Sequence, residues 1–396
     1  MVTAHIRNLD YWSWAPEMDV VANDHYLDHR LGDPTAELSF AADLTRGLAD
    51  GAPWMLMEQS AGAVNWQPHN LAKLPGQMLR NSLTHVARGA DSLCFFQWRA
   101  SARGAEKFHS ALVPHAGTDT RAWREVLDLS ATLAALAEVA DTTVQADVAL
   151  LFSWESWWSA DTEARPSQDV RYLEQVHAAY GAVRELGVTA DVVAPGADLS
   201  RYRMVVVPCL HLVTDEEAAG IDAYVAGGGH AVVTFYSGIV DGTDRVRLGG
   251  YPGAFRDLLG VVAEEFHPLL PGDRVRLCGG GTATLWTELL RTTTAKTIDA
   301  YADGPLPGVP ADHPQHLRRR HRLVRRHRAG PAGPAGAHGR RAARGSACGR
   351  SARATTARSR WCAAPATAAP TSSSSTTAHT TSSTRSPAGS WSPARP

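Results

Sequence analysis

Residues 54–99 read WMLMEQSAGAVNWQPHNLAKLPGQMLRNSLTHVARGADSLCFFQWR. Pro53–Glu58, at the head of this stretch, is a short apolar run that closes on a carboxylate. A polar loop follows. Asn70–Gly89 then has the spacing of an amphipathic helix, with a glycine where such a helix would stop. Asp91–Arg99 is a second apolar run, again ending in polar residues. Strand, helix, strand in this order calls for parallel strands joined by a crossover helix.

The alternation continues on both sides. Upstream, Met18–Tyr26 (MDVVANDHY) reads as a strand and Ala36–Leu48 as a helix; downstream, Arg121–Glu138 reads as a helix. Each strand ends in polar residues: Asn23, Asp24, His25 and Tyr26, then Glu58 and Gln59, then Gln97, Trp98 and Arg99. In a (β/α)8 barrel those ends carry the chemistry. Residues 1–140 supply three strand–helix units, and closure needs eight, so the expectation is a partial barrel.

Residues 143–295 read as a separate α/β domain. Strands are expected at Ala146–Trp154, Ala190–Val193, Met204–Cys209 and Gly229–Phe235, and helices at Val170–Leu186 and Asp215–Ala226. Gly227–Gly229 and Gly279–Gly281 mark turns. No Gly-x-Gly-x-x-Gly or P-loop pattern follows a strand, so no nucleotide fingerprint is present.

Charge divides the chain. Beyond Asp312 there is no Asp, Glu or Lys but there are 16 Arg, so residues 1–312 hold 23 of the 39 basic residues and all 40 acidic ones. An acidic body is joined to a basic tail of Arg, Ala, Gly, Pro, Ser and Thr without apolar periodicity. Such a segment buries too little surface to offset its ordering entropy, and residues 296–396 are expected to be mostly disordered. The run Arg318–Arg328 lacks Lys and interleaved aromatics, so no nucleic-acid partner is expected. No stretch approaches the roughly 20 apolar residues of a membrane span. The N-terminus lacks a secretory pattern and the five Cys lack paired spacing, which makes the cytoplasm the expected compartment.

Glu58 is the sharpest candidate for chemistry, with a solvated strand-end carboxylate as the alternative. Trp66, in the loop Gly62–His69, is either a stacking floor for a sugar or a packed loop residue. Glu106-Lys107-Phe108-His109 places two polar groups around an aromatic, suited to sugar hydroxyls or simply solvated. Trp154, Trp157 and Trp158 read as a domain edge or an interface patch. His25 and His29 have ligand-like spacing but no helix to hold them; no metal and no cofactor are expected.

Together, LDYWSWAPEMDVVANDHY (9–26), the stretch 54–99 and GAEKFHSALVPHAGTDTRAWREV (104–126) resemble the C-terminal part of glycoside hydrolase family 42 β-galactosidases. The resemblance covers about Leu9–Gly308. It implies an α/β chain: the last three βα units of a (β/α)8 TIM barrel, followed by a flavodoxin-like α/β trimerisation domain. It implies that Glu58 is the catalytic nucleophile, that Trp66, Glu106 and His109 bind galactose, and that Tyr26 ends barrel strand six near the nucleophile. A β-galactoside substrate and a homotrimer follow from the same source. The family's first five units would precede Met1. They would carry its Asn-Glu pair, whose Glu is the general acid/base, an Arg that binds substrate and, in some members, a metal-binding Cys cluster. None has a counterpart here, so negligible activity is expected of this chain, and a non-catalytic oligomerisation module is the alternative. The tail past Pro310 is read as out of frame. An offset of one base over 321–327 can yield a buried-strand sequence, and one of two bases over 358–377 an alternating β sequence with a hairpin-like turn, so at least two slips are needed.

Overall fold

The computed structural model describes residues 7–28 and 34–312. His29, the Arg-rich run, frame slippage over 321–377 and the expectation of disorder beyond Asp312 fall outside them; residues 296–312, also expected to be mostly disordered, instead carry the short strands at Asp299–Ala300 and Pro310–Asp312.

The first sheet is parallel, in the order β1-β2-β3, with β1 at Ala22–Asp24, β2 at Trp54–Glu58 and β3 at Ala90–Leu93. Its crossovers are α2, Pro34–Leu48, and α3, Gln77–Val86, and the helix expected at Arg121–Glu138 is α4, Arg121–Ala135. Side chains alternate along β2: Trp54 and Leu56 pack with Ala42 and Ala90, whereas Met57 is 39% exposed although β2 is the central strand. Several boundaries differ from the sequence reading: the strand expected over Met18–Tyr26 is only Ala22–Asp24. The helix expected from Asn70 starts only at Gln77, because Pro75 and a left-handed Gly76 (φ 79°) break the backbone just before it. The strand expected to reach Arg99 ends at Leu93, and the chain continues through isolated bridges, Ser60 to Phe96 and Arg99 to Val113.

The second sheet is parallel, in the order β5-β4-β6-β7: β4 at Val148–Leu151, β5 at Ala190–Val193, β6 at Met204–Val207 and β7 at His230–Val233. This matches the first four strands of a flavodoxin-like order. Its helices are α5, Trp154–Ala160, α6, Tyr172–Glu185, and α7, Asp215–Ala226. Thr214 and Glu217 form a reciprocal capping box at the start of α7. In such sheets ligands enter where the strand order reverses, here between β4 and β6. A short helix from the N-terminal region packs against the residues that follow β4. Asp10 caps a short helix, α1 (Tyr11–Trp14), and Trp12 Nε1 donates to the Phe152 carbonyl at 2.9 Å. Tyr11 meets Trp154 edge-on at 5.4 Å. Trp154 and Trp157 are therefore core rather than an interface patch; only Trp158 is partly exposed.

Helix α2 joins the two sheets. Every residue from Glu37 to Arg46 is buried, because the helix packs on the first sheet and also on β5 and α6. A helix covered all round loses the polar stripe of a surface helix. The contact needs glycine at position 47, where a Cβ would lie 1.8 Å from the Val192 carbonyl oxygen. Past α8, Arg256–Leu259, the chain turns antiparallel. Strand β8, Val261–Pro268, pairs with β11, Trp286–Thr292; β9, Val275–Arg276, pairs with β10, Thr282–Ala283; β12, Asp299–Ala300, pairs with β13, Pro310–Asp312. The expected turn at Gly279–Gly281 closes β9 onto β10, with Gly280 at φ 99°.

Candidate active site

The C-terminal ends of β1 and β2 meet at Glu58. Its carbonyl accepts from the His25 backbone N–H at 2.9 Å. Its Oε2 accepts from the Tyr26 hydroxyl at 2.7 Å. Burial, then the bond to Glu58, pushes the Tyr26 hydroxyl well above its ordinary range, so it remains a donor. Glu58 thus has one oxygen held by a fixed O–H donor.

Aromatic rings surround this pair. Trp66 lies edge-on to Tyr26 at 4.9 Å and tilted over His109 at 5.5 Å. His109 also meets Phe96 edge-on at 5.0 Å. Trp66 remains 53% exposed, so one indole face is open for stacking. His109 is 2% exposed, and its Nδ1 is 2.9 Å from the Ser110 carbonyl. A carbonyl only accepts, so Nδ1 carries the hydrogen and Nε2 is the acceptor. That Nε2 is buried without a hydrogen-bond partner among the described residues. Ser110 Oγ accepts from the Gly62 N–H at 2.7 Å, tying the loop after β2 to the loop after β3.

Glu106 is exposed, yet its charge is felt at the Tyr26 hydroxyl. The structure therefore gathers Glu58, Tyr26, Trp66 and His109, with Glu106 at their rim. Trp98 is not among them; it is exposed and lies edge-on to Trp123. Phe96 and Ser110 went unremarked in the sequence, where nothing separates them from core and loop residues. Two concavities flank the group, one of about 30 Å³ beside Trp66 and one of about 190 Å³ beside His109. Glu58 lines neither, and the smaller one has room for about two waters and no sugar.

A polar layer lies behind these residues. His25 Nε2 is 3.1 and 3.2 Å from the two Glu37 oxygens, and His85 meets His25 edge-on at 5.4 Å. The His25 side chain is thus paired with Glu37. Among the described residues no group of three or more His, Cys, Asp or Glu is placed to hold a metal ion. Burial drives the His85 pKa well below its ordinary value, which keeps the ring neutral.

Lys73 is 5% exposed and donates to the Ser60 carbonyl. Burial, with a smaller contribution from Arg80, lowers its pKa from 10.5 to about 8. Because the folded value is the lower one, the unfolded chain binds more protons between these two pH values. Stability should therefore rise with pH across that window. The expected gain is on the order of 2–3 kcal/mol by pH 10. The urea midpoint should increase from pH 7.5 to 9.5 in the native chain and stay flat in Lys73→Met; parallel curves would contradict the assignment.

Parallel βα units that collect a carboxylate, a tyrosine and stacking rings at their strand ends make up the class of site found in barrel glycosidases. The comparisons with known proteins narrow this class. Residues 1–136 match the β-galactosidase family model, and residues 146–322 match the model of the β-galactosidase trimerisation domain. A β-galactosidase of Arthrobacter sp is 51% identical over 311 residues, which are 78% of this chain and 45% of that protein. The solved β-galactosidase of Bacillus circulans sp. alkalophilus has a TM-score of 0.75 at 37% identity, over 77% of this chain and 46% of its own. That of Rahnella sp. R3 also has a TM-score of 0.75, at 36% identity, over 78% and 48%. The chain belongs to the glycoside hydrolase family 42 β-galactosidases, whose fold is a TIM barrel with a trimerisation domain. It spans about half the length of the curated relatives it matches. Among the described residues no helix is long and apolar enough to cross a membrane.

Proposed function

We propose that this chain carries the nucleophile half of a retaining β-galactosidase that releases terminal non-reducing β-D-galactose. The observation behind this is the Tyr26–Glu58 hydrogen bond beneath Trp66 and His109. In a retaining mechanism Glu58 attacks the anomeric carbon and forms a galactosyl ester. A second carboxyl group, about 5–5.5 Å away, protonates the departing oxygen and then takes a proton from the incoming water. Tyr26 fixes one Glu58 oxygen and leaves the other to attack. Trp66 offers an indole face to the sugar, His109 Nε2 accepts from a sugar hydroxyl, and Glu106 lies at the rim for a further hydroxyl.

The 396 residues contain no Asn-Glu dipeptide, so the family's acid/base residue has no counterpart among them. The chain by itself is expected to hydrolyse nitrophenyl β-D-galactoside no faster than buffer. Robust hydrolysis that disappears in Glu58→Gln would overturn this and show a complete site. A second reading, favoured by the match to the trimerisation domain, is a non-catalytic oligomerisation module. A homotrimer is proposed under both readings and is checked by mass in solution.

A further inference from the structure

The two carboxyl groups at the ends of β1 and β2 stand in different surroundings. Asp24 and Glu58 are register partners across the parallel pair, just past an irregularity between Asn23 and Asp24. Glu58 Oε2 has the Tyr26 hydroxyl as a donor. Asp24 Oδ1 is buried and has no hydrogen-bond partner among the described residues. A donor stabilises a carboxylate in its ionised form; a buried oxygen without one favours the protonated form. When two such groups are neighbours, the first proton goes to the one less able to hold charge.

We propose that Asp24 is a positioning carboxyl group that takes up the first proton at the Asp24–Glu58 pair. The groups facing the pair agree with this. Burial first, then the Glu58 charge, raises the Asp24 pKa to about 6, while His25 works in the opposite direction. Tyr26 donates to Glu58, and Glu106, from the loop after β3, adds negative charge on that side. From α2, Glu37 engages His25.

The inference rests on the reading of Glu58 as nucleophile only for its consequence. Once Glu58 becomes a neutral ester, its charge no longer holds the proton on Asp24. The Asp24 carboxyl group then releases that proton to water and leaves an anion next to the esterified Glu58 for the second step. The proton's placement is measured without any substrate, so its failure and the failure of the nucleophile reading are distinguishable.

The experiment is a carbon-13 titration of the side-chain carboxyl groups in the full chain, with Asp24→Asn identifying the Asp24 signal. The expected result is a midpoint near pH 6 that falls in Glu58→Gln, where the like charge is gone. It should also fall in Tyr26→Phe, where Glu58 loses its donor and competes for the proton. Circular dichroism reports whether each variant is folded, and either one suffices. An Asp24 midpoint in the ordinary carboxylate range, or one that does not move in a folded variant, overturns the proposal.

Discussion

Asp43→Asn should lower stability by about 3–5 kcal/mol, the cost of breaking a buried ion pair and leaving its cations uncompensated. Asp43 is fully buried and accepts from Arg46, from Arg88 and from the Tyr180 hydroxyl. Arg46, 1% exposed, reaches across to the second sheet, with Nε 3.0 Å from Asp191 Oδ1 and Nη2 2.9 Å from the Ala190 carbonyl. Asp191 in turn holds Arg201 and Tyr202, each at 2.9 Å. Burial opposes the Arg46 charge, but Asp43 and Asp191 outweigh it and raise its pKa. An asparagine would present an amide of no net charge to two guanidinium groups at the junction of the sheets. Against a typical total of about 5–15 kcal/mol, this is a large share. The urea midpoint, followed by circular dichroism and by tryptophan fluorescence, should fall strongly. The exposed pair Arg124–Asp119, at 3.1 Å, is the control, and Asp119→Asn should leave the midpoint unchanged. Equal shifts in the two variants would show that Asp43 does not organise the junction.

This junction illustrates what the sequence conveys and what it does not. The apolar runs around β2 and β3 announce themselves by period and by polar ends, and Glu58 stands out because it closes such a run. Asp43 and Arg46 read as ordinary helix-surface residues three apart. Their burial depends on β5 arriving about 145 positions later, as the Arg46–Asp191 bond records, and no local pattern carries that. Trp154 was ambiguous for the same reason, since α1 covers it from more than a hundred residues upstream. The start of α3 was obscured by Leu71 and Leu74, which fit a helical stripe although Pro75 and Gly76 stop the helix from extending back to them. At the site, the types and order of Tyr26, Glu58, Trp66 and His109 were legible. Their mutual distances, the tautomer of His109 and the lack of a partner for Asp24 Oδ1 among the described residues required the third dimension. Strands β9, β10, β12 and β13, of two or three residues each, offered too few residues to be read as strands, and the longer β8 and β11 do not alternate apolar and polar residues through their length.

The largest effect is expected from completing the site. The strands that matter are already placed: β1 lies at one edge of the first sheet and Met57 of the central strand is substantially exposed. A sheet face of this kind is normally covered inside a barrel, whose interior is filled by side chains. A hybrid can be made in which the part of the Arthrobacter β-galactosidase that precedes its matched segment is joined to the N-terminus of this chain. It should hydrolyse nitrophenyl β-D-galactoside at least about 10³-fold faster than the chain alone, because members of a catalytic unit act together and losing one typically costs several orders of magnitude. Glu58→Gln in the hybrid should return the rate to background, since an amide cannot form the galactosyl ester. Both proteins must be shown folded, by circular dichroism and by mass in solution, for the comparison to count. A folded hybrid whose activity survives Glu58→Gln would remove Glu58 from the nucleophile role and direct attention to another carboxylate at the strand ends. Activity that is gained in the hybrid and lost with Glu58 would mean that half of a glycosidase site is folded here in working geometry, with Tyr26, Trp66 and His109 already set around its nucleophile.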